Sequence, residues 1–195
     1  MSLCLVGSEM CIRDSLRSEA PLIGYPSNFT IYDTYDSEKL ISNIIKEKKL
    51  DKDTYKAKSI KNRISSLKNN FITVENYFNN SELIEVDKAA KRDLFGEIYQ
   101  EYVRRCFKAS VMDFDDLLLK TNELLNKSPE TLLKYQQKFK YILVDEYQDT
   151  NYSQYLIVKA LADRHENLCV VGDDSQSIYS FRAVSYTHLR AHETQ

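Results

Sequence analysis

Two short apolar runs separated by one amphipathic helix place the strongest constraint on the fold. The runs are YILV at Tyr141–Val144 and LCVVGD at residues 168–173, and the helical pattern NYSQYLIVKALADRH lies between them. A strand, a crossover helix and a second strand of these lengths form a βαβ unit with parallel strands. Apolar runs without alternation are typical of parallel strands covered on both faces. The sequence therefore predicts an α/β fold with a parallel sheet.

Both runs end in polar residues that would share one edge of this sheet. Asp145 and Glu146 follow the first run, and Asp173 ends the second. Ligands of parallel sheets bind beyond the carboxyl ends of the strands. A carboxylate there can hold Mg²⁺, and an adjacent glutamate can orient or deprotonate an attacking water. We predict Asp145 as the metal ligand and Glu146 as the general base. The alternative is a strand that ends in solvent with two exposed acids.

The two ends of the chain differ in character from the rest. LVGSEMCIRD near the start and VSYTHLRAHE near the end can be encoded, codon against codon, by opposite strands of one DNA duplex. This pattern is typical of an inverted adapter at both ends of a DNA fragment. We therefore expect residues 1–15 and 184–195 to be non-native and to contribute nothing to the native fold. A signal peptide is not indicated, because Glu9, Arg13 and Asp14 interrupt the weakly apolar run.

Composition excludes little by itself. The net charge is −2, so any contact with nucleic acid must be local rather than a property of the whole surface. Of the four cysteines, Cys106 and Cys169 lie outside the adapter-like ends, and their wide spacing predicts buried thiols in a reducing, cytoplasmic compartment. No apolar run has the length that a membrane span requires.

The segment between residues 37 and 110 is rich in lysine and has helical periodicity. Asp51 and Ser81 are predicted helix caps, and residues 86–107 are predicted to form one long helix. Acids intersperse its basic residues, so we expect a solvated face; contact with duplex DNA is the alternative. The predicted apolar stripes comprise Ile41, Ile44 and Ile45; Ile60, Ile64 and Leu67; and Ala89, Leu94, Ile98, Tyr102 and Cys106.

The sequence from Met112 onward predicts two short helices ahead of the strand at Tyr141–Val144. Asp113 is placed to cap the first helix, and Ser128 with Pro129 is placed to open the second. Asp113, Asp115 and Asp116 could also be imagined as a metal cluster. Acids in a first helical turn favour the positive end of the helix, so we expect capping instead.

The sequence at the ends of the two predicted strands resembles that of a known family. VDEYQDTN and VVGDDSQSIYSFRA are similar to motifs II and III of the UvrD/Rep/PcrA-type superfamily 1 DNA helicases, in the expected order. The resemblance extends upstream through MDFDDLL to IGYPSNFTIYDTYDS. It implies part of a RecA-like P-loop NTPase domain with an inserted helical subdomain. The implied division is residues 16–35 and 111–183 for the RecA-like part and 36–110 for the insertion.

The resemblance also implies residue roles. Asp145 matches the magnesium aspartate, Glu146 the catalytic glutamate, and Gln176 a catalytic glutamine that senses the γ-phosphate of ATP. Tyr179 and Phe181 match aromatics on the path of single-stranded DNA, and Arg182 matches an arginine near the DNA. Aromatic faces suit this role because any base can stack on them. Core packing is the alternative for the two aromatics.

The chain departs from the family pattern in two places. Arg182 is followed by Ala183 rather than glycine, and no GxxxxGK[ST] phosphate loop occurs in the sequence. We expect that loop before Leu16 and a second RecA-like domain after Ala183, so the fragment itself is expected to be inactive.

The resemblance implies an ATP- and Mg²⁺-dependent 3′-5′ DNA helicase of repair or replication. It would couple ATP hydrolysis to translocation on single-stranded DNA and to unwinding at single/double-strand junctions. The alternatives are the helicase subunit of a helicase-nuclease recombination complex and a passive fragment that binds single-stranded nucleic acid. Protein partners are not indicated by the sequence.

Overall fold

The computed structural model describes residues 3–6 and 9–172, with side chains from Ile12 onward. The strands in this part are β1 (Leu3–Val6), β2 (Thr30–Tyr32), β3 (Val111–Asp113), β4 (Tyr141–Val144) and β5 (Leu168–Val170). The helices are α1 (Glu9–Glu19), α2 (Thr34–Glu47), α3 (Ala57–Asn69), α4 (Val74–Phe78), α5 (Ser81–Ala89), α6 (Phe95–Lys108), α7 (Phe114–Lys127), α8 (Pro129–Lys138) and α9 (Tyr152–Ala162). Short 3₁₀ turns occupy Ala20–Ile23 and Tyr147–Asp149.

The strands form two small parallel sheets. One sheet has the order β1-β4-β5, and the other pairs β2 with β3. The predicted βαβ unit is confirmed, because α9 connects β4 to its parallel neighbour β5. The strand β1 lies within residues 1–15, where the sequence predicted no native structure, and it pairs with β4 from Leu3 opposite Tyr141 to Val6 opposite Val144.

Along the chain, helices α2 to α6 come between β2 and β3, the two paired strands of the smaller sheet. These helices share their own apolar core. Every predicted apolar residue of α2 and α3 is buried there, and so are Ile98, Tyr102 and Cys106 of α6. Two further clusters form around α1, α7 and the larger sheet. This arrangement agrees with helices inserted between β2 and β3, while the boundaries at residues 36 and 110 stay a prediction.

The predicted long helix over residues 86–107 is wrong, since the structure divides it into α5 and α6. Lys91, between them, has a left-handed backbone with φ of 58°. Asp87 is buried and accepts hydrogen bonds from Arg63 and from the hydroxyl of Tyr77. The amide of Arg92 donates to the carbonyl of Asp87 at 2.8 Å and closes α5. These tertiary contacts end a helix that periodicity alone would continue, and they leave Ala89 exposed.

Two of the four predicted helix caps are confirmed and two are wrong. Asp113 caps α7 in a reciprocal capping box with Asp116, and Ser128 caps α8, as expected. Ser81 is instead the first residue of α5, whose cap is Asn80. Asp51 accepts from the amide of Thr54 and stabilises a turn ahead of α3 rather than the helix itself. Local side-chain chemistry thus identified turns correctly but not always the helix behind them.

The structure of β5 shows that two predictions are wrong: that this strand is covered on both faces and that Cys169 is buried. It lies at one end of its sheet, and within residues 3–6 and 9–172 its outer edge has no paired strand. Its residues are exposed rather than covered on both faces, with Leu168 at 39% and Val170 at 37%. Cys169 is therefore exposed, whereas Cys106 is buried as predicted. Among the helices of the described residues, none has the combination of length and apolar character that a membrane span requires.

Candidate functional site

The carboxyl ends of β4 and β5 lie side by side. Val144 is opposite Val170 in the parallel register, so both strands end at one edge of the sheet. The amide of Val171 donates to the carbonyl of Val144 at 2.8 Å, and the amide of Tyr147 donates back to Val171 at 3.0 Å. These hydrogen bonds extend the pairing beyond the strands. The acidic pair that follows Val144 is therefore held beside the end of β5.

Asp145 and Glu146 both reach solvent at this edge. Glu146 has a left-handed backbone, with φ of 52° and ψ of 42°. A non-glycine residue costs on the order of 1 kcal/mol in this conformation, so its surroundings must hold it there. The carboxylate of Asp145 accepts from the amide of Glu146 at 2.9 Å, and the side-chain amide of Gln148 donates to the carboxylate of Glu146. The pair is thus oriented by contacts within its own turn.

The chain after Glu146 is tightly packed. Tyr147, Gln148 and Thr150 are buried, and the amides of Asp149 and Thr150 close the 3₁₀ turn. Gly172, after β5, approaches this turn so closely that an added Cβ would lie 2.7 Å from the side-chain oxygen of Gln148. A larger residue at this position would have to displace the side chain of Gln148, so the ends of the two strands are closely packed.

The structure places only part of the predicted site. Asp145 and Glu146 are brought to the edge where β5 also ends, as the sequence predicted. The other predicted residues are Gln176, Tyr179, Phe181 and Arg182, and all four lie outside the described residues. Their roles, and the role of Asp173 at the end of the second run, stay predictions.

The donor set at this edge fits a magnesium ion that a nucleotide helps to hold. Asp145 is exposed, and within the described residues no lysine, arginine or histidine forms an ion pair with it. No cluster of three or more His, Cys, Asp or Glu residues in the described part could hold a metal by itself. Mg²⁺ is commonly bound by one or two carboxylates together with water and substrate phosphates. One exposed aspartate is sufficient for that arrangement.

A second polar cluster, which the sequence did not predict, lies where the inserted helices meet β3 and α7. The ammonium of Lys68 in α3 is fully buried and contacts the carboxylates of Asp113 and Asp116 at 2.7 Å each. The hydroxyl of Tyr102 donates to Asp113 at 2.7 Å and accepts from the hydroxyl of Ser37 at 3.1 Å. The acids that were predicted as caps therefore also form a buried ion cluster.

The charged groups of this cluster shift one another's pKa values. Burial alone would lower the pKa of Lys68, but the carboxylates of Asp113 and Asp116 hold it well above its usual value. Burial opposes ionisation of Asp113, yet the charge of Lys68 keeps the pKa of Asp113 below its usual value. Burial and the charge of Asp113 raise the pKa of Asp116 to about 6. The cluster therefore has one cation for two acids.

The sequence did contain a signal for Lys68. Ile60, Ile64 and Lys68 follow one another at spacings of four residues, which places the lysine on the apolar stripe of α3. A lysine on such a stripe is buried only when acids compensate its charge. Two capping aspartates on another element could have supplied that compensation, but the sequence does not show which elements meet.

Comparison with known proteins decides the family. A sequence model described as the UvrD/REP helicase N-terminal domain matches residues 9–194. The chain belongs to the UvrD/REP helicase N-terminal domain family. The match reaches into both adapter-like ends, whose origin stays a prediction. A partial RecA-like domain with small parallel sheets is what this family membership and the structure together support.

Several curated relatives of this UvrD/REP family member are named PcrA. The chain is 42% identical over 184 residues to the ATP-dependent DNA helicase PcrA of Bacillus subtilis. It is 39% identical to the protein of that name from Staphylococcus epidermidis and 38% identical to that from Staphylococcus aureus. In each case the match covers 94% of this chain but 24% of the relative. The chain thus spans about a quarter of the length of these curated relatives.

Proposed function

We propose that this chain is part of an ATP-dependent 3′-5′ DNA helicase that acts in repair or replication. The full-length protein would couple ATP hydrolysis to translocation on single-stranded DNA and to unwinding at duplex junctions. The observation that supports this most is the shared edge of β4 and β5, where Asp145 and Glu146 lie beside the end of the next parallel strand. The relatives that carry the same segment are named ATP-dependent DNA helicases.

The roles follow from the chemistry of the side chains. Asp145 would hold Mg²⁺, which supplies charge neutralisation on the phosphates when it is bound. The carboxylate of Glu146 would accept a proton from the attacking water and orient that water toward the γ-phosphate. Both acids extend into solvent at the strand edge, where a nucleotide could reach them.

The residues after β5 would complete the site. The side-chain amide of Gln176 can donate a hydrogen bond to the γ-phosphate, and that bond is lost on hydrolysis. Tyr179 and Phe181 would stack on bases of single-stranded DNA, each base contributing about 1–3 kcal/mol. Arg182 would contact the DNA nearby. This order along the chain would connect the state of the nucleotide to the grip on the DNA.

The proposal is tested with two proteins, the 195-residue chain and the full-length protein that contains it. We expect the full-length protein to hydrolyse ATP with Mg²⁺, faster when single-stranded DNA is added, and to displace a strand from a duplex with a 3′ tail. A duplex with only a 5′ tail is the matched control and should stay paired. A full-length protein that displaces no strand from either duplex would contradict the proposal.

The isolated 195-residue chain is expected to show no ATP hydrolysis, since its sequence contains no GxxxxGK[ST] loop to hold the phosphates. A phosphate-release assay with the purified chain measures this directly. Magnesium-dependent hydrolysis above background that disappears in Glu146→Gln would show that this part of the account is wrong.

A further inference from the structure

The end of α3 contacts the elements that carry the acidic pair. The hydroxyl of Ser153, in the first turn of α9, donates to the carbonyl of Lys68 at 2.9 Å, and Asn122 of α7 donates to the carbonyl of Ser153 at 2.8 Å. Ser153 is fully buried. The inserted helices therefore meet α7 and α9 through specific polar contacts, in addition to the ion cluster around Lys68.

Asn69, the last residue of α3, forms a bridge at this junction. Its side-chain amide donates to the carboxylate of Asp115 at 3.0 Å, and its side-chain oxygen accepts from the side-chain amide of Asn151 at 2.8 Å. Asp115 is held in turn by the hydroxyl of Ser65 at 2.6 Å. One asparagine thus joins an inserted helix, the first turn of α7 and the start of α9.

Asn151 is a well-fixed residue a few positions after the acidic pair. It caps α9 in a reciprocal capping box, in which its side chain accepts from Gln154 and its amide donates to the side chain of Gln154, both at 2.9 Å. Between Glu146 and Asn151 lie only the 3₁₀ turn, in which Tyr147 and Gln148 are buried, and the buried Thr150. A short and packed segment of this kind transmits a displacement of one end to the other.

We propose that Asn69 is a positioning residue for Asp145 and Glu146. Through Asn151 it fixes the far end of the turn whose near end is set by β4. A shift of the inserted helices would pull on Asn151 and change the position of the acidic pair. This inference rests on the proposed function of the two acids, and it assigns the inserted helices a part in controlling them.

The test compares backbone hydrogen exchange in the 195-residue chain and its variants, measured by NMR. In Asn69→Ala, we expect the amides of Glu146, Asp149 and Thr150 to exchange about 5- to 10-fold faster, because the loss of the bridge loosens the turn. The amides of α6 should exchange as in the original chain. The matched control is Asn70→Ala, which removes an exposed asparagine whose side chain donates to the carbonyl of Ser66 in α3, and it should change nothing in the turn.

A reversed bridge distinguishes positioning from simple loss of stability. Asn69→Asp alone should speed exchange in the turn, since two carboxylates would then face each other. Combining Asn69→Asp with Asp115→Asn restores the hydrogen bond between these two positions in the opposite direction, with position 115 as the donor and position 69 as the acceptor. The new carboxylate at position 69 can still accept from the side-chain amide of Asn151. This double variant is expected to bring exchange in the turn back to within about twofold of the original.

Three outcomes would overturn the proposal: unchanged exchange of the turn in Asn69→Ala, an equal increase in α6, or no recovery in the reversed pair. These measurements need no ATP hydrolysis. Unchanged exchange would refute the role of Asn69 and leave the helicase proposal standing. A full-length protein without ATPase activity would refute the helicase proposal while the exchange result still held.

Discussion

Replacing Lys68 by methionine is expected to lower the free energy of unfolding by about 3 to 5 kcal/mol near neutral pH. Methionine fills a similar volume but leaves Asp113 and Asp116 buried without their cation. Urea unfolding of the 195-residue chain, followed by circular dichroism, measures this change. Lys58→Met is the matched control, because Lys58 is an exposed lysine of the same helix, and its effect should stay within about 0.5 kcal/mol.

The pH dependence of this variant gives a second readout. Without Lys68 the buried carboxyls have a higher pKa in the folded chain than in the unfolded chain, so the folded form binds more protons. The stability of the variant should therefore rise, relative to the original chain, as the pH falls toward about 5. A deficit below about 1 kcal/mol, or one that does not change with pH, would contradict the role given to this ion cluster.

Glu146→Gln should have the largest effect on activity. In the full-length protein we expect the rate of ATP hydrolysis to fall by about 100- to 10,000-fold, because the neutral amide cannot accept the proton of the attacking water. Affinity for ATP should change little, since the two side chains have nearly the same shape and the left-handed backbone of residue 146 is equally unfavourable for both. Single-turnover hydrolysis and the binding of a fluorescent nucleotide measure the two quantities separately.

A matched glutamate controls for the removal of one charge. Glu166 is exposed ahead of β5, close to the amino end of that strand, and like Glu146 it has a left-handed backbone, with φ of 55°. Glu166→Gln should leave hydrolysis unchanged. Equal rates for both variants and the original protein would mean that Glu146 is not the general base.

The parts of the fold that the sequence predicted correctly are those set by local patterns. The β4-α9-β5 unit follows from two apolar runs around one helical segment, and the cap at Asp113 follows from acids in a first turn. The break between α5 and α6 depends instead on Asp87, whose partners Arg63 and Tyr77 are distant in sequence. Periodicity carries no information about such partners, so the helix was predicted to continue.

The site was predictable to a similar degree. Parallel pairing places Asp145 and Glu146 at the carboxyl edge, and the sequence was sufficient for that inference. The left-handed backbone of Glu146 was not predictable, since glutamate has no preference for that conformation and the surrounding turn imposes it. The bridge from Asn69 to Asn151 joins residues far apart in the chain, and one sequence contains no signal for such a pair.

The central claim is that one sheet edge presents a magnesium-binding acid, a general base and a glutamine that contacts phosphate. An experimental structure of the full-length protein with Mg²⁺ and a non-hydrolysable ATP analogue tests it most directly. We expect the carboxylate of Asp145 within about 5 Å of the ion, directly or through one water, and the side-chain amide of Gln176 within about 3 Å of the γ-phosphate. A nucleotide bound elsewhere, or Gln176 on a different edge from Asp145, would contradict the account.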